Sequence, residues 1–442
     1  MIGIALFLLS AEPGEAYVPF GIDSMNMRMV GYLVDTSRNG FWRLAVTEDM
    51  NYAYTYDAYL VIIDMRDKEN PRIARVIDSI KPWALLVKDT LLFLIWNHFT
   101  ICDISDPLNP VPIGHCDSVY GREDLIYLEG LNRVCIADWK VTIIDVSNPT
   151  SPKPTCTVTL GGTVPQACYV PPYLYVIKSD TPYSHAYIFE LKVNPDSLKL
   201  LNRIDHWTPN NWDYGTRTIA AWKDDSSGRT YLYCLGGTVC YVFDVTDPLD
   251  PITVNYGKMD PTCNLSRVDG HLLYSRSGWL GQHKDGITIC DPKMDPAFFP
   301  IVGFYRWSEL GGEFWDIWDL RPKNGWIFVS ATLHNFRDEM VGASFGIFYT
   351  PLGAPGTSIC IPETFRVVVT YPGPRLCLTL YSKSNVSLSL YDAGGRLAIR
   401  KDLGRLNPGS HAIPLGHNLA QGVYFLQVNI NEKRFLEKVV IK

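Results

Sequence analysis

The side chains best suited to grip a ligand crowd into residues 205–344. The run DHWTPNNWDYG at residues 205–215 sets Trp207, Asn210, Asn211, Trp212, Asp213 and Tyr214 close together. Trp279 and His283 follow within residues 276–285, Glu309 and Glu313 within SELGGE at 308–313, and His334 and Arg337 within 331–344. Aromatic rings supply apolar contact area, and amides, carboxylates and a guanidinium orient a polar partner, so the set suits a sugar or a peptide. Glu309 with Glu313 would also suit the acid pair of a glycosidase, where the separation of the carboxyls decides. H-E-x-x-H and a phosphate-cradling glycine loop do not occur, and no Cys/His spacing suits zinc. The residues therefore point to no catalytic nucleophile, no metal and no cofactor. The plainer alternative is that these loops are merely solvated and the tryptophans pack between neighbouring elements.

What must position these residues is a repeat. TICDISDPLNPVPIG at residues 100–114 runs apolar to an Asp, turns at Ser-Asp-Pro, and opens a new extended run with a second Pro. The same grammar returns as LVIIDMRDKENP at 60–71, VTIIDVSNPTSP at 141–152, CYVFDVTDPLDP at 240–251 and ITICDPKMDP at 287–296. The pivot acids Asp64, Asp103, Asp145, Asp244 and Asp291 stand 39, 42, 99 and 47 residues apart. The long step holds a worn copy, YIFELKVNP at 187–195 pivoting on Glu190, and GIFYTPLG at 346–353 is a weaker seventh. A period in the forties made of short strands predicts a β-propeller of seven four-stranded blades between Trp42 and Tyr349. Runs such as Leu60-Val61-Ile62-Ile63 are apolar on both alternating faces, as stacked blades require. The pivot acids read as structural, accepting hydrogen bonds from the turns they begin. Residues 25–34 form an extra extended segment that would close the ring as the outermost strand of the seventh blade, leaving no open edge.

The repeats resemble the LVIVD-repeat family of bacterial surface propellers, over roughly residues 52–349. The resemblance implies the propeller fold and brings no chemistry with it.

Composition agrees with a β-rich, exported protein. Of 442 residues 47% are hydrophobic and 12% aromatic, enough for two domains with large cores. A formal charge of −6 gives no basic surface for nucleic acid, and no apolar run after the N-terminus approaches a membrane span. Residues 2–9 are apolar and Gly14-Glu15-Ala16 offers small-residue cleavage, so 1–16 read as an export signal, with its positive leading region missing. Cys102 and Cys290 sit just before pivot acids, as buried apolar filler. Cys234 and Cys240 flank a Gly-Gly hairpin diagonally, which leaves a disulfide between them open.

The propeller is assigned to residues 17–350 and a Pro/Gly linker to 351–362. Residues 363–442 have another grammar, seven short strands with Gly-rich turns, predicting a small Ig-like sandwich. VSLSLYDAGGRLAIR, LNPGSHAIPL, LAQGVYFLQV and a final KVVIK resemble, in order, the C-terminal sorting domain of the type IX secretion system. One departure is Pro372-Gly373-Pro374 where members open with Pro-Asn-Pro. The resemblance implies the secretion machinery as a partner, passage through the outer membrane of a Gram-negative-type bacterium, and removal of this domain at the surface. The chain as a whole reads as a secreted, surface-displayed propeller that binds an extracellular protein or glycan. The rival reading is a propeller hydrolase or lyase acting on polysaccharide or peptide, which requires a deep axial pocket with converging acids.

Overall fold

The computed structural model describes residues 24–121, 123–179, 183–207, 218–236, 239–258, 262–279, 282–293, 301–306, 314–334, 340–353, 364–370, 373–380, 384–406, 409–415, 419–431 and 433–441. Residues 1–16, expected from the sequence to be an export signal, and most of the expected linker lie outside them. The chain divides into two compact units at Ser358/Ile359.

The first unit is a seven-bladed propeller. Six antiparallel four-stranded sheets follow in sequence at residues 44–77, 84–116, 124–159, 163–207, 218–258 and 262–306. The seventh takes three strands from 314–349 and its outermost from Arg28–Asp35, which pairs antiparallel with Met340–Tyr349. The N-terminal segment thus closes the ring, and its first two residues do something further: Ser24–Met25 pair with Ile301–Arg306 at the edge of the sixth blade.

Apolar runs become strands here because both faces of each blade are covered. Leu60, Val61, Ile62 and Ile63 are all fully buried. Leu60 and Ile62 pack with Leu92, Leu94 and Cys102 of the second blade, while Val61 and Ile63 pack with Phe345 and Ile347 of the seventh. An aromatic spoke repeats on the second strand, opposite the residue two before the pivot. It is Tyr54, Phe93, Tyr175, Tyr233, Tyr274 and Phe328 in six blades and Cys135 in the third. Burial raises the phenols of Tyr54, Tyr175, Tyr233 and Tyr274 well above the ordinary value.

Each pivot acid sits at the end of a third strand and accepts the backbone N–H two residues on. Asp64 takes Arg66 at 3.1 Å, Asp103 takes Ser105 at 2.8 Å, Asp145 takes Ser147 at 2.9 Å, Asp244 takes Thr246 at 3.0 Å and Asp291 takes Lys293 at 2.9 Å. Immediately before that position the ladder to the outer strand shifts register in all seven blades, at Ile62/Ile63 and Ile143/Ile144 for example. A bulge there bends the outer strand and sharpens its twist. At the bulge of the second blade stands Gly114, where a Cβ would meet the Pro149 carbonyl of the next blade at 2.1 Å. Only a glycine admits so close a neighbouring turn.

The cysteine pair does not form a bond. Leu235 rather than Cys234 pairs with Cys240, so the two thiols face opposite sides of the fifth blade, Cys234 toward the fourth and Cys240 toward the sixth. Cys102 is fully buried, and burial pushes its thiol up to about 12.

Among its described residues the second unit has seven strands in two sheets. Thr364–Thr370, Gly373–Leu380 and Gly409–Pro414 form one, and Ser384–Asp392, Leu397–Leu406, Gly422–Ile430 and Lys433–Ile441 the other. Leu378 and Ile413 of the first pack against Leu388, Leu390, Leu426 and Val428 of the second, a small sandwich core.

Candidate functional site

Strand direction fixes which loops share a rim. In each blade the innermost strand runs away from the rim where it begins, the second returns, and the second-to-third turn lies beside the next between-blade loop. The pivot acids lie on the opposite rim, with the third-to-outer turns. The described parts of 276–285 and 331–344, taken as loops from the sequence, prove to be extended hairpin. Tyr173–Ser179 pairs with Tyr183–Lys192, Leu272–Trp279 with Gln282–Cys290, and Trp326–His334 with Met340–Tyr349. Added residues continue a ladder that already exists, so their backbone N–H and C=O groups find partners there.

Trp207, Trp279, His283 and His334 stand at or near the ends of these strands on the first rim, with Trp279 paired to Gln282 and His334 to Met340. His334 is half-buried. Asn210, Asn211, Trp212, Asp213, Tyr214, Glu309, Glu313 and Arg337 lie outside the described residues.

Sequence reading missed the axis. The innermost strand of every blade is a sheet edge, whose unpaired backbone groups need partners. Side chains of adjacent blades supply them. Asp319 in the seventh blade accepts Leu44 N–H of the first at 3.1 Å, Asp124 in the third accepts Ala167 N–H of the fourth at 3.3 Å, and Gln166 in the fourth accepts Ile219 N–H of the fifth at 3.1 Å. A bulge at Ile317/Asp319 places Asp319 among guanidiniums, with Arg321 at 3.0 Å and Arg267 at 3.5 Å. Arg267 also reaches Asp124 across the channel at 3.5 Å, and Arg321 donates to the Leu44 carbonyl at 2.7 Å. Arg43 of the first blade meets Glu123 of the third at 3.4 Å, both partly exposed, at the first-rim mouth of the channel.

Three guanidiniums thus face three carboxylates along the axis. Burial works to raise Asp319, but Arg321, Arg267 and Arg43 hold it below the ordinary carboxylate range. Burial alone would lower Arg43, yet Asp319 and Asp124 raise it. A carboxylate pinned in its ionised form by three cations is poorly matched to general acid–base work, which wants a pKa near the operating pH. The cluster reads as a charge-paired plug that ties non-adjacent blades together.

Around and outside that mouth, the first rim shows apolar rings. Trp83 is 43% exposed, Tyr120 65% and Trp139 57%, on the between-blade loops and the second-to-third turn of the second and third blades. Lys140 Nζ lies 5.3 Å from the Trp139 ring centre. Trp42, next to Arg43, packs on Trp318 with centroids 4.4 Å apart, and Trp318 donates its indole N–H to Thr332 at 2.8 Å. The Tyr56 hydroxyl donates to the Trp83 carbonyl at 2.7 Å, joining the first blade to the second. The sequence analysis did not single these out; the signal was aromatic type at loop and turn positions.

Two family models match stretches of the chain. The LVIVD repeat model matches residues 42–76, 94–118 and 132–159, and the model described as a secretion system C-terminal sorting domain matches 370–442. No curated protein matches the chain. Among solved structures, the WD40 β-propeller domain of Doa1 aligns at 11% identity over 73% of this chain and 97% of its own, with a TM-score of 0.47. Sqt1 of Saccharomyces cerevisiae aligns at 7% over 79% and 95%, TM-score 0.45, and a hypothetical selenium-binding protein of Sulfolobus tokodaii at 10% over 73% and 86%, TM-score 0.44. The chain carries LVIVD repeats in an all-β propeller and ends in a type IX sorting domain, which marks it for secretion across the outer membrane to the cell surface.

Proposed function

We propose that the propeller is a recognition module that binds an extracellular protein or glycan at its first rim, in an adhesive role. The observation that carries this reading is the exposed group Trp83, Tyr120 and Trp139, set on one rim around an axis lined by paired charge. Large rings at the surface cost water contact and offer contact area to a partner, and Trp and Tyr are the types that dominate binding energy at interfaces. Lys140 beside Trp139 and the Arg43–Glu123 pair would add orientation. The strand ends bearing Trp207, Trp279, His283 and His334 belong to the same rim and would extend the face around the ring. Export would begin at residues 1–16 acting as a signal peptide, and the sorting domain would engage the secretion machinery.

The test is a glycan and protein array probed with the wild-type chain and with a Tyr120→Ala, Trp139→Ala double variant. The reading requires a hit that the double variant loses at least tenfold. Equal binding by both removes this part of the rim.

A further inference from the structure

The first and second blades part on the first rim to leave a cleft of about 230 Å³. It is separate from the channel mouth and from the exposed group Trp83, Tyr120 and Trp139. Its apolar wall is Ile80 and Leu94, and its polar lining is Trp96, His98, Thr100 and His115. The strand pattern explains the gathering. His98, Thr100 and Cys102 alternate onto the face turned to the first blade, and His115 pairs directly with Thr100 across the ladder. The tight Trp96–His98 turn, closed by Trp96 N–H on the His98 carbonyl at 3.1 Å, sets the indole beside the imidazole. The two imidazole rings lie 5.4 Å apart, and Asp117 stands 3.7 Å from His98 Nδ1 and 4.0 Å from His115 Nε2.

Thr100 is the telling residue. Only 6% of it is exposed, and its hydroxyl oxygen is buried with no hydrogen-bond partner among the described residues, although it lines the cleft. Buried hydroxyls are nearly always paired, because leaving one unpaired costs desolvation with nothing in return. Its complement is a ligand atom that both donates and accepts.

We propose that this cleft binds one neutral, hydroxyl-rich ring, a single pyranose sugar. Drug-sized ligands occupy roughly 300–1,000 Å³, so this volume suits something smaller. Trp96, Ile80 and Leu94 cover the C–H face of the ring. Sugar hydroxyls donate to Asp117, exchange hydrogen bonds with the two imidazoles, and reach Thr100 at the floor. Asp117 repels an anion, and the apolar wall in front of Thr100 disfavours a cation that would have to shed its water.

The experiment titrates the full chain with methyl glycosides of glucose, galactose, mannose and N-acetylglucosamine, by saturation-transfer NMR and calorimetry. At least one should bind. Trp96→Ala should abolish binding. Thr100→Val keeps the volume and should weaken binding about tenfold, the loss of one hydrogen bond, with no fall in melting temperature, because that hydroxyl has no partner among the described residues. The Tyr120→Ala, Trp139→Ala variant should bind the glycoside as wild type does, which separates this site from the rim. No binding by any of the four glycosides overturns the proposal, as does unchanged affinity in both Trp96→Ala and Thr100→Val.

Discussion

On the rim where the third strands end, Asp64, Asp103, Asp145, Asp244 and Asp291 each turn back onto their own chain two residues later. On the other rim, neighbouring blades carry different residues at equivalent turns: Tyr59 in the first, Trp96 and His98 in the second, Trp139 in the third. Both rims are built from the same repeat. Where repetition is kept, polar groups are spent on local hydrogen bonds and little is left for a partner. Where it is broken, rings stand in water. Departure from the repeat is therefore the better guide to function, and the repeat itself the better guide to stability.

The largest expected effect lies between the rims, on the axis. Asp319→Ala strands Arg321 and Arg267 in a buried site, and removing one partner of a buried ion pair costs about 3–5 kcal/mol. Calorimetric unfolding should show a melting temperature many degrees lower; a loss near zero would mean the axial charges are not coupled. Next come the pivots. Asp291, 3% exposed, and Asp64, 6% exposed, each satisfy turn N–H groups. Alanine at either should cost about 1–3 kcal/mol and leave first-rim binding untouched. An unchanged melting temperature with lost binding would reverse the roles of the two rims.

Acid should act on the repeated rim and the axis together. Hydrogen bonds and charge from Arg66 hold Asp64 well below its ordinary value, the Ser105 hydroxyl and N–H lower Asp103, and the three guanidiniums lower Asp319 against its burial. Carboxylates depressed in the folded state contribute stability that is complete above the unfolded value, about pH 4, and is lost as pH falls toward the folded values. Melting temperature should hold from pH 7 to about 5 and drop below 4. The smallest stability effect belongs to the first rim. Tyr120→Ala with Trp139→Ala removes exposed rings only, and surface changes of this kind stay within about 0.5 kcal/mol. A chain ending near residue 362 should keep the propeller's circular dichroism and lose surface delivery, since the sandwich owns a separate core.

Much of the fold was legible because it repeats. Five clean Asp-turn-Pro copies place five blades, and the worn copies at Glu190 and Tyr349 follow from the period. The closing strand at Arg28–Asp35 was legible as an extra extended segment beside a blade short of one. The bulge before each pivot was not, because register is set by pairing between strands and leaves no residue type behind. The axial cluster was hidden for a similar reason. Arg43, Asp124, Arg267 and Asp319 are scattered singly through the sequence and converge only when the ring closes. Of the site residues expected from the sequence, Asn210, Asn211, Trp212, Asp213, Tyr214, Glu309, Glu313 and Arg337 lie outside the described residues, and the exposed rings Trp83, Tyr120 and Trp139 were not among them. Trp96 and His98 sit in a turn too short to draw notice.

The central claim is that recognition belongs to the first rim. Hydrogen exchange on the full chain, with and without its strongest array ligand, tests it most directly. Protection is expected at the turns around Trp83, Trp96, Tyr120 and Trp139, with the Asp-led turns at Ser105, Ser147 and Thr246 unchanged. Protection confined to those Asp-led turns, or to the outer strands, would contradict the account.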